Sequence, residues 1–151
     1  MSIFKNNKIH PSDIKTLEDL NKLPVTTKEQ LQQYNDDFFC VPKTKIIDFV
    51  TTSGTLGEPV TIGLTDKDLE RLAYNEAISF ACAGIQEQDI LQLTTTMDRR
   101  FMAGLAYFLG VRKLGAGIIR VGAGIPELQW DSILKFKPSY LIVVPSFLLK
   151  L

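Results

Sequence analysis

Thr51-Thr52-Ser53-Gly54-Thr55-Leu56-Gly57-Glu58-Pro59 is the stretch of this chain best equipped for chemistry. It gathers four hydroxyls and two glycines directly after a β-rich run. Glycine permits positive φ and close backbone approach, so successive N–H groups can turn inward as an anion nest while Thr and Ser hydroxyls donate to phosphate oxygens. The same composition also suits an ordinary glycine-containing β connection that binds nothing. Two common nucleotide fingerprints are excluded. A Walker A loop counted from Gly54 needs glycine then lysine where Pro59 and Val60 stand, and Gly115-Ala116-Gly117 meets Arg120 where GxGxxG needs its third glycine.

The elements that must position this loop read as an α/β rhythm. Up to about residue 44 the chain is a polar leader punctuated by Pro11, Pro24 and Pro42. Two short helices are expected there, opened by the capping pairs Thr16/Asp19 and Thr27/Gln30. Residues 45–151 form the main body. Ile46–Val50 and Val60–Leu64 are expected strands joined by the hydroxyl loop. Thr65 with Asp68 caps a helix carrying Leu69, Leu72, Ala73, Ala77, Phe80 and Ala81 on one face and ending near Gly84. Strands are expected at Ile90–Thr94, Gly117–Val121 and Tyr140–Val144, the last as a run buried in a parallel sheet. Helices are expected over Arg100–Leu114, stopped by Gly115, from Pro126 through Trp130 and Leu134, and from Pro145 onward. Trp130 and Leu134 are expected to dock their helix on the sheet. The fold class is thus α/β, a mostly parallel sheet flanked by helices.

The 151 residues suit one domain or part of a larger one, with 45% hydrophobic and 23% charged residues. Seventeen Lys and Arg balance seventeen Asp and Glu, which removes the global field that draws proteins to nucleic acid or anionic membranes. No apolar run reaches the roughly 18 residues of a spanning helix, and Met1–Lys8 lacks a signal-peptide core; a cytoplasmic location is expected. Cys40 and Cys82 lack CxxC spacing and read as reduced thiols in or near the core. His10 is the sole histidine, so neither a Ser-His-Asp triad nor a His-rich zinc site is expected. Asp98-Arg99-Arg100 precedes a helix N-terminus, where it is able to hold an anion but more often forms a solvated cap.

Thr52-Ser53-Gly54-Thr55-x-Gly57-x-Pro59 resembles the phosphate loop of adenylate-forming enzymes, and the likeness extends along the chain. Ile14–Leu20 and Leu23–Lys28 are similar to the leader of the phenylacetate-CoA ligase family. Gly63-Leu64-Thr65-x-x-Asp68-Leu69, Lys113-Leu114-Gly115-Ala116 and Val144-Pro145-Ser146 keep that family's order. The resemblance implies activation of a small carboxylic acid, an aryl acid being one candidate, as an acyl-adenylate, followed by transfer to CoA. It implies ATP, Mg²⁺ and CoA, with Thr51, Thr52, Ser53, Gly54, Thr55 and Gly57 around the phosphates. Phe101 lines up with a helix start bordering the acyl pocket in relatives, but Phe101, Leu105 and Phe108 also form a stripe of the kind that packs in cores.

Three departures qualify the resemblance. Glu58 stands where many relatives have lysine, and a carboxylate about 6 Å from a phosphate charge costs on the order of 3 kcal/mol at an effective dielectric near 20. It must point away, contact Mg²⁺ or weaken ATP binding. Met102 and Ala103 replace glycines of relatives, which leaves the acid open. The family's acidic motif, ribose-binding aspartate and C-terminal catalytic lysine have no counterpart in these 151 residues. The expectation is therefore an N-terminal nucleotide-binding fragment, inactive by itself and without catalytic residues of its own. The alternatives are a non-catalytic remnant that binds a nucleotide or a partner, and a structural module. The last helix reads as cut off at Leu151, and an open sheet edge offers a route to a homodimer.

Overall fold

The computed structural model describes residues 7–53 and 58–151. Thr27 and Gln30 exchange side-chain and backbone hydrogen bonds, Thr27 N–H to Gln30 Oε1 at 3.0 Å and Gln30 N–H to Thr27 Oγ1 at 3.3 Å. This capping box opens helix α1 (Lys28–Gln33). The Thr16/Asp19 pair does not open an α-helix. The Asp19 carboxylate accepts from the Lys15 and Thr16 N–H groups, and the chain there makes only a 3₁₀ turn, Glu18–Lys22, with Leu17 at its cap.

Strands β1 (Asp48–Thr51) and β2 (Thr61–Leu64) pair antiparallel, with Thr51 opposite Thr61. The leader lies against this hairpin. Asn35 Nδ2 donates to the Thr61 carbonyl at 2.9 Å while its Oδ1 accepts from Thr61 N–H at 2.8 Å. The Phe39 ring meets Phe49 edge-on at 6.4 Å.

Helix α2 (Asp66–Cys82) begins at Thr65, whose hydroxyl donates to Asp68 Oδ2 at 2.7 Å. The Thr65 N–H and then its hydroxyl hold the Asp68 carboxyl below its ordinary value of 3.8. Leu69, Leu72, Ala73, Ala77 and Phe80 are buried or half-buried as their spacing requires, but Ala81 is exposed. Cys40 and Cys82 are free but exposed, not core residues; Cys82 ends α2 two residues past Phe80, off the buried face.

Strands β3 (Ile90–Leu93), β4 (Gly117–Arg120) and β5 (Tyr140–Ile142) form a parallel sheet in the order β4-β3-β5. The layered α/β arrangement read from the sequence is therefore present. Helix α3 (Met102–Leu114) links β3 to β4, and α4 (Pro126–Phe136) links β4 to β5. These two steps run in opposite directions along the sheet, so right-handed crossovers carry α3 and α4 to opposite faces. Side-chain alternation agrees: Leu91 packs with Phe80 and Val111, while Gln92 turns to the other face and meets Gln129 of α4. Among the described residues β3 alone is paired on both sides; β5 is paired on one, and Leu141 and Val144 are 38% and 51% exposed, short of the burial expected for Tyr140–Val144. A four-residue helix α5 (Pro145–Leu148) comes next.

Helices α2 and α3 cross without room for side chains at one point. A Cβ on Gly110 would stand 2.3 Å from the Glu76 Cβ and 3.1 Å from the Ala77 nitrogen. A Cβ on Gly104 would lie 1.9 Å from the Thr96 carbonyl oxygen. Small residues therefore make the inner face of α3, with Gly104, Ala106, Gly110 and Val111 buried. The Phe101-Leu105-Phe108 stripe is not that face: Phe101 lies outside the helix as its cap and is exposed, and Leu105 and Phe108 are half-buried.

Helix α4 also faces otherwise than expected. Trp130 and Leu134 are 47% and 72% exposed, while Gln129 and Ser132 are buried. Gln92 Nε2 donates to Gln129 Oε1 at 2.9 Å, and Gln129 Nε2 donates to the Gly122 and Gly124 carbonyls at 2.8 and 3.1 Å. This amide chain replaces the apolar contact foreseen for Trp130.

This packing sets two stability outcomes. Gly110→Ala should lower stability by about 1–3 kcal/mol through overpacking, although alanine is intrinsically the better helix former by about 1 kcal/mol. A urea midpoint at or above that of the parent would show that the helices part freely. Gln129→Ala should cost about 1–3 kcal/mol, because Gln92 and two carbonyls lose their partner, and should speed hydrogen exchange at Val121 and Gly122 while leaving α2 protected.

Candidate functional site

The hydroxyl loop leaves the β1–β2 hairpin through a closed neck. Thr52 N–H donates to the Val60 carbonyl at 3.0 Å, and Thr52 Oγ1 accepts from Val60 N–H at 3.0 Å. That bond occupies an oxygen lone pair and leaves the Thr52 hydroxyl proton to donate elsewhere. Thr51 closes β1 and is half-buried, whereas Thr52 and Ser53 are exposed. Gly54, Thr55 and Gly57 lie outside the described residues. Glu58 is exposed, and its carbonyl accepts from Gln32 Nε2, tying the far side of the loop to α1.

One backbone bond joins this hairpin to the parallel sheet: Thr51 N–H donates to the Arg100 carbonyl at 3.1 Å. Arg100 belongs to the connection from β3 to α3. Beside it, the chain leaving β3 and the chain leaving β4 turn toward opposite faces, which opens a crevice at the carboxyl ends of the strands. In open α/β sheets this switch point is where ligands bind. The crevice here is a cleft of about 540 Å³ lined by Thr96, Met97, Asp98, Arg99 and Gly122–Gly124.

Its two walls are held in place from behind. The Val121 and Gly122 N–H groups donate to the Leu93 carbonyl at 3.2 and 3.1 Å, and Gln129 holds the Gly122 and Gly124 carbonyls. Gly122 and Gly124 have φ of +80° and +85°, a region that glycine enters without steric cost. On the opposite wall the Thr96 hydroxyl donates to Asp98 Oδ1. Phe101 caps α3 just beyond the cleft lining and is 44% exposed.

The site residues named from sequence thus fall in two neighbouring places. Thr51, Thr52 and Ser53 mark the base of the hairpin loop; Phe101 stands at the start of α3, one residue past the carbonyl that anchors β1. Gln92 and Gln129, which fix the cleft from behind, were not foreseen. The one sequence signal for them was Gln92 itself, a polar residue within the apolar run Ile90–Leu93. Among the described residues no group of three His, Cys, Asp or Glu side chains converges to hold a metal. No helix among them is long and apolar enough to cross a membrane.

No family model matches the chain. It is 35% identical over 144 residues to the phenylacetate-coenzyme A ligase of Escherichia coli K12, covering 95% of this chain and 33% of that protein. The corresponding enzyme of Aromatoleum evansii is 34% identical over 147 residues, covering 97% and 33%. The one from Thermus thermophilus is 31% identical over 140 residues, covering 92% and 31%. In structure the chain superposes on 2-hydroxyisobutyryl-CoA ligase in complex with 2-HIB-AMP and CoA, with a TM-score of 0.79 and 25% identity. That match covers 96% of this chain and 32% of the other. An open conformation of the same ligase gives a TM-score of 0.79 at 23% identity, covering 96% and 33%. In sequence the chain is similar, along nearly its whole length, to phenylacetate-CoA ligases, and in fold to a 2-hydroxyisobutyryl-CoA ligase, and it spans about a third of the length of each.

Proposed function

We propose that the chain forms the nucleotide-gripping and acid-gripping part of an ATP-dependent acid–thiol ligase. The observation that carries this reading is its relationship, along nearly its whole length, to phenylacetate-CoA ligases. The bond from Thr51 N–H to the Arg100 carbonyl, which sets the described base of the hydroxyl loop beside the connection lining the crevice, supports it. In this reading residues 1–44 are a leader that braces the hairpin, and residues 45–151 are the binding body.

The reaction has two steps. A carboxylate oxygen of the acid attacks the α-phosphorus of ATP, the bond to the β-phosphate oxygen breaks, and pyrophosphate leaves. The CoA thiol, losing its proton, then attacks the acyl carbon and the bond to AMP breaks. Negative charge grows on the pyrophosphate in the first step, and fixed donors aimed at it lower the barrier. Thr52, Ser53, Gly54, Thr55 and Gly57 are assigned to that role, with Thr51 anchoring the strand that carries them. The hydroxyls of Thr52 and Ser53 suit it because both residues are exposed and, among the described residues, Thr52 Oγ1 serves only as an acceptor.

Mg²⁺ fits such a site through the nucleotide: it commonly binds by substrate phosphates and water with one or two carboxylates. Its contribution would be to neutralise phosphate charge. Glu58, being exposed, is screened by solvent and need not oppose the nucleotide.

The acid is placed in the crevice, with Phe101 at its border. The solved relatives hold a 2-hydroxyisobutyryl adenylate and CoA, consistent with a small carboxylic acid here. A cytoplasmic location, where ATP and CoA are present, fits the reading. No catalytic residue is assigned to these 151 residues, and the chemistry is proposed to draw on groups from the remaining length that the relatives possess.

Titration of Mg-ATP into the 151-residue chain by calorimetry should give saturable binding that Gly54→Val abolishes, with thermal melts showing both proteins folded. A cooperatively folded parent that gives no heat would defeat nucleotide binding by this chain.

A further inference from the structure

The cleft at the carboxyl ends of β3 and β4 has a character that phenylacetate would not call for. Among the described residues its lining contains no aromatic side chain, and Phe101 is not part of it. It does contain Arg99. Among the described residues no carboxylate pairs with that guanidinium: the ion pairs are Lys22 with Asp19 and Lys43 with Asp36. A guanidinium presents a rigid fork of donors that matches a carboxylate in two parallel bonds. The facing wall is the Gly122–Gly124 turn, where a Cβ on Gly122 or Gly124 would meet no atom within 4 Å. The turn is held by Gln129 and Leu93, so the room it leaves is fixed.

Asp98 lines the same cleft and works against an anion. One of its oxygens already accepts from the Thr96 hydroxyl, and the other remains for a donor. A ligand that offers only a second carboxylate meets attraction from Arg99 and repulsion from Asp98. A ligand that adds a hydroxyl donating to Asp98 satisfies both side chains.

We infer that the cleft selects a short hydroxylated dicarboxylic acid, with Arg99 binding the carboxylate that is not activated and Asp98 accepting from the hydroxyl. This rests on the ligase reading above and narrows its substrate class. Arg99 is then a specificity residue, since it would touch the end of the acid remote from the reacting carboxyl.

Amide chemical shifts of the ¹⁵N-labelled 151-residue chain, titrated separately with malate, succinate and phenylacetate, test the assignment. Malate should shift Thr96–Arg99 and Gly122–Gly124 saturably and bind more tightly than succinate, with phenylacetate weakest. Arg99→Gln should weaken malate at least about tenfold, the worth of a charge-assisted hydrogen bond, with Arg99→Lys in between and phenylacetate unaffected. The assignment is overturned if phenylacetate saturates those amides at lower concentration than malate, if malate shifts none of them, or if Arg99→Gln leaves malate binding unchanged. Mg-ATP titrated into the same samples separates the two readings. Nucleotide binding without malate binding removes only the acid class, whereas malate binding without nucleotide binding defeats nucleotide binding by this chain and leaves the cleft as an acid site.

Discussion

A single buried amide contact, Gln92 to Gln129, joins three things that the sequence separates: the central strand, the helix across its second face and the turn after β4. Burying two uncharged amides has a substantial desolvation cost unless their hydrogen bonds are made. The Gln129 Oε1 and both amide nitrogens find partners here while Gln92 Oε1 is buried without one among the described residues, so the bonds that are made hold only when strand, helix and turn are in register together. An apolar pair would have tolerated sliding. The directional bonds do not, and the glycine turn that walls the crevice takes its position from them.

The other face of the sheet is organised on a different principle. There α2 and α3 approach until Gly110 meets Glu76 with no space for a methyl group, and Phe80, Ile85, Leu91 and Val111 fill the layer beneath. Dense apolar packing sets the height of α3, and the contact of Gly104 with the Thr96 carbonyl brings its first turn against the loop leaving β3. The crevice thus has one wall positioned by close packing and one by hydrogen bonding. That division allows a polar lining to stand over a sheet whose core is apolar.

What could be read in the sequence was what local chemistry decides. The Thr27/Gln30 and Thr65/Asp68 boxes lie within one helical turn, as do the stop at Gly115 and the proline at the start of α4, and all are found where expected. Long-range order was less legible. Tyr140–Val144 is as apolar as a buried strand, but among the described residues β5 has a partner on one side only, and strand order is something no property of the run itself encodes. Periodicity on α4 groups Trp130 with Leu134 correctly on one stripe, yet it cannot say which stripe meets the sheet when the sheet offers Gln92. Phe101 was grouped with Leu105 and Phe108 by spacing, although the helix begins one residue later. Gly54, Thr55 and Gly57 are assigned to phosphate through resemblance alone and lie outside the described residues, so the hairpin neck at Thr52 and Val60 is the nearest geometry that bears on them.

The bond from Thr51 N–H to the Arg100 carbonyl has an evolutionary consequence. It is made by backbone atoms, so it is indifferent to which side chains occupy positions 98, 99 and 100. Exchanging those side chains alters what the crevice presents without moving the strand that carries the hydroxyl loop. An insertion or deletion between Thr96 and Phe101 would instead shift the carbonyl and drag the hairpin with it. Descendants of this chain can therefore change what the crevice presents by point substitution, while the length of that connection stays under constraint from a strand dozens of residues earlier in the sequence.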